Sequence, residues 1–161
     1  MDQGRTQLGV KFDKNVFFGN EVANSNVTVD NHECKLRITE VEFQVVQRMR
    51  LSGYHSWSGK FDVIENKDQA GMDAGYTEPV TKIMTLNLDA CKYSISNQRA
   101  KKCCARSDEE MFLLTNLAPA AHSHHISNDY ELNVNVKYDG CTCCSSVPNV
   151  SIPLSIIPMT H

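Results

Sequence analysis

The chain has 161 residues, a formal charge of −3 at pH 7 and 22% charged residues. One domain of this length can bury an adequate core, and the slight acidic balance argues against nucleic-acid binding, which calls for a basic excess. No apolar run approaches the ~20 residues of a bilayer span. The opening Met1-Asp2-Gln3-Gly4-Arg5 lacks an apolar signal-peptide core, and Gly4 is not where a myristoylation signal needs it, so a soluble cytoplasmic protein is expected.

Taken in chain order, Leu8–Phe12 reads as a first strand and Val16-Phe17-Phe18 as a short second, followed by a Gly19-Asn20 turn. Ala23, Ser25, Val27 and Val29 share one parity, which makes Glu21–Asp30 an extended strand ending in Asp30-Asn31-His32-Glu33 turn chemistry. Lys35–Leu51 is long. Leu36 and Ile38 point one way, whereas Val41, Phe43, Val45, Met49 and Leu51 take the opposite parity, so a β-bulge is expected near Thr39-Glu40. Its Glu and Gln content would also suit a helix, but β-branched density favours a strand.

Ser52–Pro79 reads as mostly loop, punctuated by Gly53, Gly59, Gly71 and Gly75, with a short strand through Lys60–Ile64. Val80–Leu88 follows, with Met84, Leu86 and Leu88 on one face. Cys91–Asp129 is irregular, and unstructured connections of such length are usually functional or disordered. The clearest signals come last. Every even position is apolar in Tyr130, Leu132, Val134, Val136 and Tyr138, and again in Val150, Ile152, Leu154, Ile156 and Pro158. Period-two alternation with a turn-rich link predicts an antiparallel pair with one face in the core. Seven or eight strands and no convincing helix indicate an all-β, immunoglobulin-like antiparallel β-sandwich.

Nothing in the chain carries reaction chemistry: there is no G-x-S-x-G, Walker loop or H-E-x-x-H, and no catalytic residue or cofactor is expected. Seven cysteines, an odd number, fit reduced thiols better than a disulfide framework. Two glycosylation sequons, at Asn26 and Asn149, fall inside predicted strands and carry little weight.

A metal site could draw on Cys103, Cys104, His122, His124 and His125, which share one connection, while Cys141, Cys143 and Cys144 form a second cluster. If strands 80–88 and 130–138 were antiparallel neighbours, the clusters would lie ~30 Å apart at opposite ends of a strand. Zinc needs four ligands in a tetrahedron, the spacing matches no known finger, and free thiols in loops are the preferred reading. Arg99, Lys101, Lys102 and Arg106 would favour thiolate at Cys103 and Cys104, or could meet anionic headgroups or phosphorylated tails. Asp108, Glu109 and Glu110 sit close enough to balance them in a solvated loop. Trp57, in a Gly/Ser segment beside Tyr54 and His55, is either a binding anchor or a cap folded back on the sandwich. Met111–Leu114 is expected to pack against a sheet.

The ordered set of strands resembles the C-terminal lobe of the arrestin family. The resemblance rests on Phe17-Phe18-Gly19 with Glu21-Val22, on Val27-Thr28-Val29-Asp30-Asn31, and on the long strand with Ile38, Val41, Val45, Val46 and Gln47 near its end. Pro119, Ile126, Tyr130-Glu131-Leu132, Val147-Pro148 and Ile152 to Pro158 continue it. It spans most of residues 8–158, with 93–116 looking like a loop insertion and only one lobe present. The resemblance implies a single domain over 1–161 that acts as a cytosolic adaptor. Its partners would be tails of membrane receptors or cargo and trafficking or ubiquitin machinery, in endocytosis and signal transduction, with a second lobe in the full-length protein. Peripheral recruitment to membranes or endosomes stays open. No Pro-Pro-x-Tyr motif occurs. A Cys/His metal-binding or redox-sensing module and a retromer-type trafficking subunit are the alternatives.

Overall fold

The computed structural model describes residues 3–90, 117, 119–140 and 147–157. Among them run β1 (Gln7–Phe12), β2 (Val16–Phe18), β3 (Val22–Asp30), β4 (Arg37–Leu51), β5 (Trp57–Asp68) and β6 (Val80–Asn87). A single 3₁₀ turn, Leu88–Ala90, follows, and then β7 (Ala121–His122), β8 (Ile126–Asp139) and β9 (Asn149–Ile157).

Two sheets face each other. The smaller has the order β1-β3-β6 and the larger β2-β9-β8-β4-β5, with β7 added alongside β8. Alternation decides which side chains meet between them. Tyr130, Leu132, Val134 and Val136 of β8 pack with Phe43 and Val45 of β4, Leu154 and Ile156 of β9, and Val27, Met84 and Leu86 of the smaller sheet. Burying a side chain of this size contributes about 1.5–3 kcal/mol. The phase flip in β4 is a bulge at Thr39: Ile38 pairs with Tyr138, and the next pair is Glu40 with Lys137. Both Ile38 before it and Phe43 after it therefore reach the core.

The sandwich is the expected one, with four corrections. First, β5 is a 12-residue strand, not a short one in a loop. Second, β6 and β8 belong to different sheets, so the strands at 80–88 and 130–138 are not neighbours and the ~30 Å separation argued from their pairing does not hold. Their inward parity looks the same whichever sheet receives them. Third, β2 runs parallel to β9, an exception to the antiparallel pattern. Fourth, β7 and the first residues of β8 occupy part of the stretch read as irregular.

At one end of the sandwich Asn31, fully buried, ties three segments together. Its amide donates to the carbonyls of Leu36 and Asp73, both at 3.0 Å, and its oxygen accepts from Thr6 Oγ1 at 2.6 Å. The 69–79 loop is further held by a two-way backbone bridge between Met72 and Ile38, next to Gly71, whose φ of +68° suits glycine. Where the two sheets' edges approach, Asn66 Nδ2 donates to Thr85 O at 2.8 Å and Lys82 pairs with Asp68.

The outer face of the larger sheet carries a charge ladder. Lys137 Nζ lies 2.9 Å from both Glu40 Oε1 and Glu42 Oε1, and Lys67 Nζ lies 3.3 Å from Glu42 Oε1 and 3.0 Å from Glu65 Oε2. Burial acts to raise the Glu42 carboxyl, but hydrogen bonds from Lys137 and Lys67 outweigh it and hold Glu42 below the usual carboxylate range. Lys137 is raised by the same contacts. A carboxylate depressed in the folded state adds stability above its unfolded value near 4.5 and loses it as pH falls through the folded value. Glu42→Gln is therefore expected to cost about 1–2 kcal/mol at pH 7. The gap from wild type should shrink as pH drops below about 4.5 in urea denaturation series. A gap independent of pH would show that the ion pairs contribute nothing.

Candidate interaction surface

The two sheets differ in length, and the difference leaves apolar surface uncovered. β4 has 15 residues and β8 has 14, whereas β1, β3 and β6 have 6, 9 and 8. At about 3.3 Å per residue the longer strands outrun the smaller sheet by roughly 20 Å. The inward parity of β4 continues past Val45 through Gln47, Met49 and Leu51, and β8 continues past Tyr130 through Asn128 to Ile126.

A polar network marks where the closed core stops. Gln47, 2% exposed, donates from Nε2 to Asn128 Oδ1 at 2.7 Å and to Tyr130 Oη at 3.3 Å. Asn128 Nδ2 in turn contacts Tyr130 Oη and Pro119 O, both at 3.2 Å. These bonds let amide groups sit at the end of a dry core without the penalty of an unpaired buried donor.

Beyond the network lies a shelf. Leu51 is directly opposite Trp57 on one side and Ile126 on the other, so the three share a face. They are 38%, 46% and 49% exposed, and Phe61, opposite Gln47, is 38% exposed. Gly59 lies between the two aromatics. A Cβ there would come within 2.5 Å of Trp57 Cη2 and 2.8 Å of the Phe61 ring. Its absence lets the rings lie over the strand, with centroids 6.0 Å apart and planes tilted by 30°. Trp57 thus opens a strand, not a loop segment, and neither caps the core nor stands alone.

Two turns frame the shelf. Ser52 N donates to His125 O at 2.7 Å, and His125 Nδ1 lies 2.9 Å from Ser52 O, fastening the β4–β5 turn to the β7–β8 turn. Tyr54, fully exposed, meets His55 edge-on at 5.0 Å between ring centroids. Behind the shelf, on the outer face, Arg48 grips Glu131 with two bonds of 2.9 and 3.0 Å.

Of the metal candidates, the three histidines lie among the described residues. His122 pairs with Asp129 at 3.1 Å, His125 is spent on Ser52, and His124 stacks edge-on against His125. Among the described residues no group of three His, Cys, Asp or Glu side chains could hold a metal ion. Cys103, Cys104, Arg99, Lys101, Lys102 and Arg106 lie outside the described residues, as does the 93–116 segment. Of the residues singled out from sequence only Trp57 belongs to the shelf. Leu51 lies on the parity read from sequence and Ile126 in the family-like segment, yet neither marks a site by its type, and Phe61 carries no signal of its own. No helix among the described residues is long and apolar enough to cross a membrane.

The profile described as Arrestin (or S-antigen), C-terminal domain, matches residues 2–161. No match was found among curated proteins. Replacing Gly59 with Ala is expected to push the Trp57 and Phe61 rings apart and leave the fold intact. Near-UV circular dichroism and Trp57 emission should change while far-UV spectra stay the same. Unchanged aromatic signals would show that the rings are not packed across Gly59.

Proposed function

Because the chain belongs to the arrestin family through its C-terminal domain, we propose that it serves as a non-catalytic adaptor that binds cytoplasmic tails of membrane receptors or cargo. Domains of this family are generally non-catalytic. The observation that supports binding here is the shelf: Leu51, Trp57, Phe61 and Ile126 form an exposed apolar face at the paired ends of β4, β5 and β8. Exposed apolar surface of this kind marks interaction sites, and a half-buried Trp within it is a typical anchor. Arg50, exposed on the opposite face of the same strand ends, would add attraction for acidic tails. Engagement of trafficking or ubiquitin machinery, membrane or endosomal recruitment, and a second lobe in the full-length protein complete the reading.

Trp57 is the chain's single tryptophan, so its emission reports directly on the shelf. Receptor-tail peptides that bind should shift Trp57 emission to the blue and shield it from acrylamide. Leu51→Asp should weaken their binding by about 30-fold, the scale of a hot-spot loss. Tails that bind with unaltered Trp57 emission and full affinity for Leu51→Asp would move the site elsewhere.

A further inference from the structure

We propose that the outer edge of β5 pairs antiparallel with β5 of a second copy of this chain, about a two-fold axis at Phe61. β5 is the edge strand of the larger sheet, and among the described residues no strand pairs with its outer side. Its later half is bridged to the smaller sheet through Asn66 and Asp68, whereas among the described residues Trp57–Asp62 has no such bridge. An open edge is a template for another strand, and proteins commonly block it with outward charge.

Here the outward charges do not block pairing; they specify it. Lys60 and Asp62 are exposed, point to the same face, and have no hydrogen-bond or ion-pair partner among the described residues. Lys60 even sits opposite another cation, Arg48. Two opposite charges spaced by two residues are self-complementary in an antiparallel pair centred between them. Lys60 then faces the partner's Asp62, and symmetry repeats the contact with the roles exchanged. On the inner face Phe61 meets the partner's Phe61. Gly59 faces the partner's Val63, the extra residue where the β4–β5 ladder shifts between Val45 and Val46.

Neighbouring registers are worse. Centring on Lys60 would oppose Lys60 with the partner's Lys60, and centring on Gly59 would oppose Lys60 with the partner's Ser58, leaving both charges unpaired. Registers shifted by a single residue would set an apolar face against a polar one. The two shelves become neighbours on one continuous sheet, which would let the dimer hold two tails at once.

Sedimentation equilibrium of the 161-residue chain, from micromolar to hundreds of micromolar, tests the pairing. A reversible dimer is expected. Lys60→Asp and Asp62→Lys should each weaken it about tenfold or more, because symmetry turns two attractions into two repulsions. The double variant K60D/D62K should recover it. Both substituted positions are exposed, so unaltered thermal unfolding will separate lost pairing from lost folding. A chain that stays monomeric throughout, a dimer indifferent to the single reversals, or a double variant as weak as either single one would overturn the proposal.

Discussion

The ladder between β4 and β8, running from Arg37 opposite Asp139 to Leu51 opposite Ile126, is the constraint on which the rest of the molecule depends. It is longer than any strand of the facing sheet. Its first half finds a partner layer and becomes core, where Phe43, Val45, Leu132 and Val134 are fully buried. Its second half keeps the same inward pattern, and among the described residues no strand of the smaller sheet lies opposite it. The same rule of alternation therefore produces both the hydrophobic core and the exposed shelf, and only the length of the opposing sheet separates them.

Two amides define the limits of the closed region. Asn31 at one end and Gln47 toward the other are buried polar residues that would each cost stability if left unpaired. Both are hydrogen-bonded, Asn31 with loop carbonyls and Thr6, and Gln47 through its Nε2 with Asn128 and Tyr130. They are also the residues on which the family resemblance leaned, one ending the Val29-Asp30-Asn31 strand and the other near the end of β4. Their value is positional: each specifies which loops meet at its end, in a way apolar packing alone does not.

Much of the fold was legible because alternation is a local signal. β8, β9 and the inward face of β6 could be read position by position, and even the bulge at Thr39 announced itself as a change of parity. β5 was under-read because Gly59 and Gly53 look like turn punctuation. Gly59 is instead a strand residue whose missing side chain is replaced by the rings of Trp57 and Phe61. The assignment of β6 and β8 to separate sheets could not be read, since parity says which side of a strand is apolar but not which layer it joins. The shelf was legible in one residue only. Trp57 draws notice by its type, while Leu51 and Ile126 lie where the described strands of the smaller sheet have ended.

The parallel contact of β2 with β9 has a consequence for how the chain reaches this structure. Val16, Phe17 and Phe18 pair with Ser155, Ile156 and Ile157, nearly the full length of the chain away. Phe17 is 1% exposed in the finished core, yet it has no strand partner until β9 arrives. Closing so long a loop delays the reward for that contact and slows folding relative to local hairpins. The β4–β5 hairpin, whose register includes the shelf, can form early from neighbouring sequence. The binding face would then be assembled before the sandwich is sealed, and the β2–β9 clasp would be the step that commits the domain to its native topology.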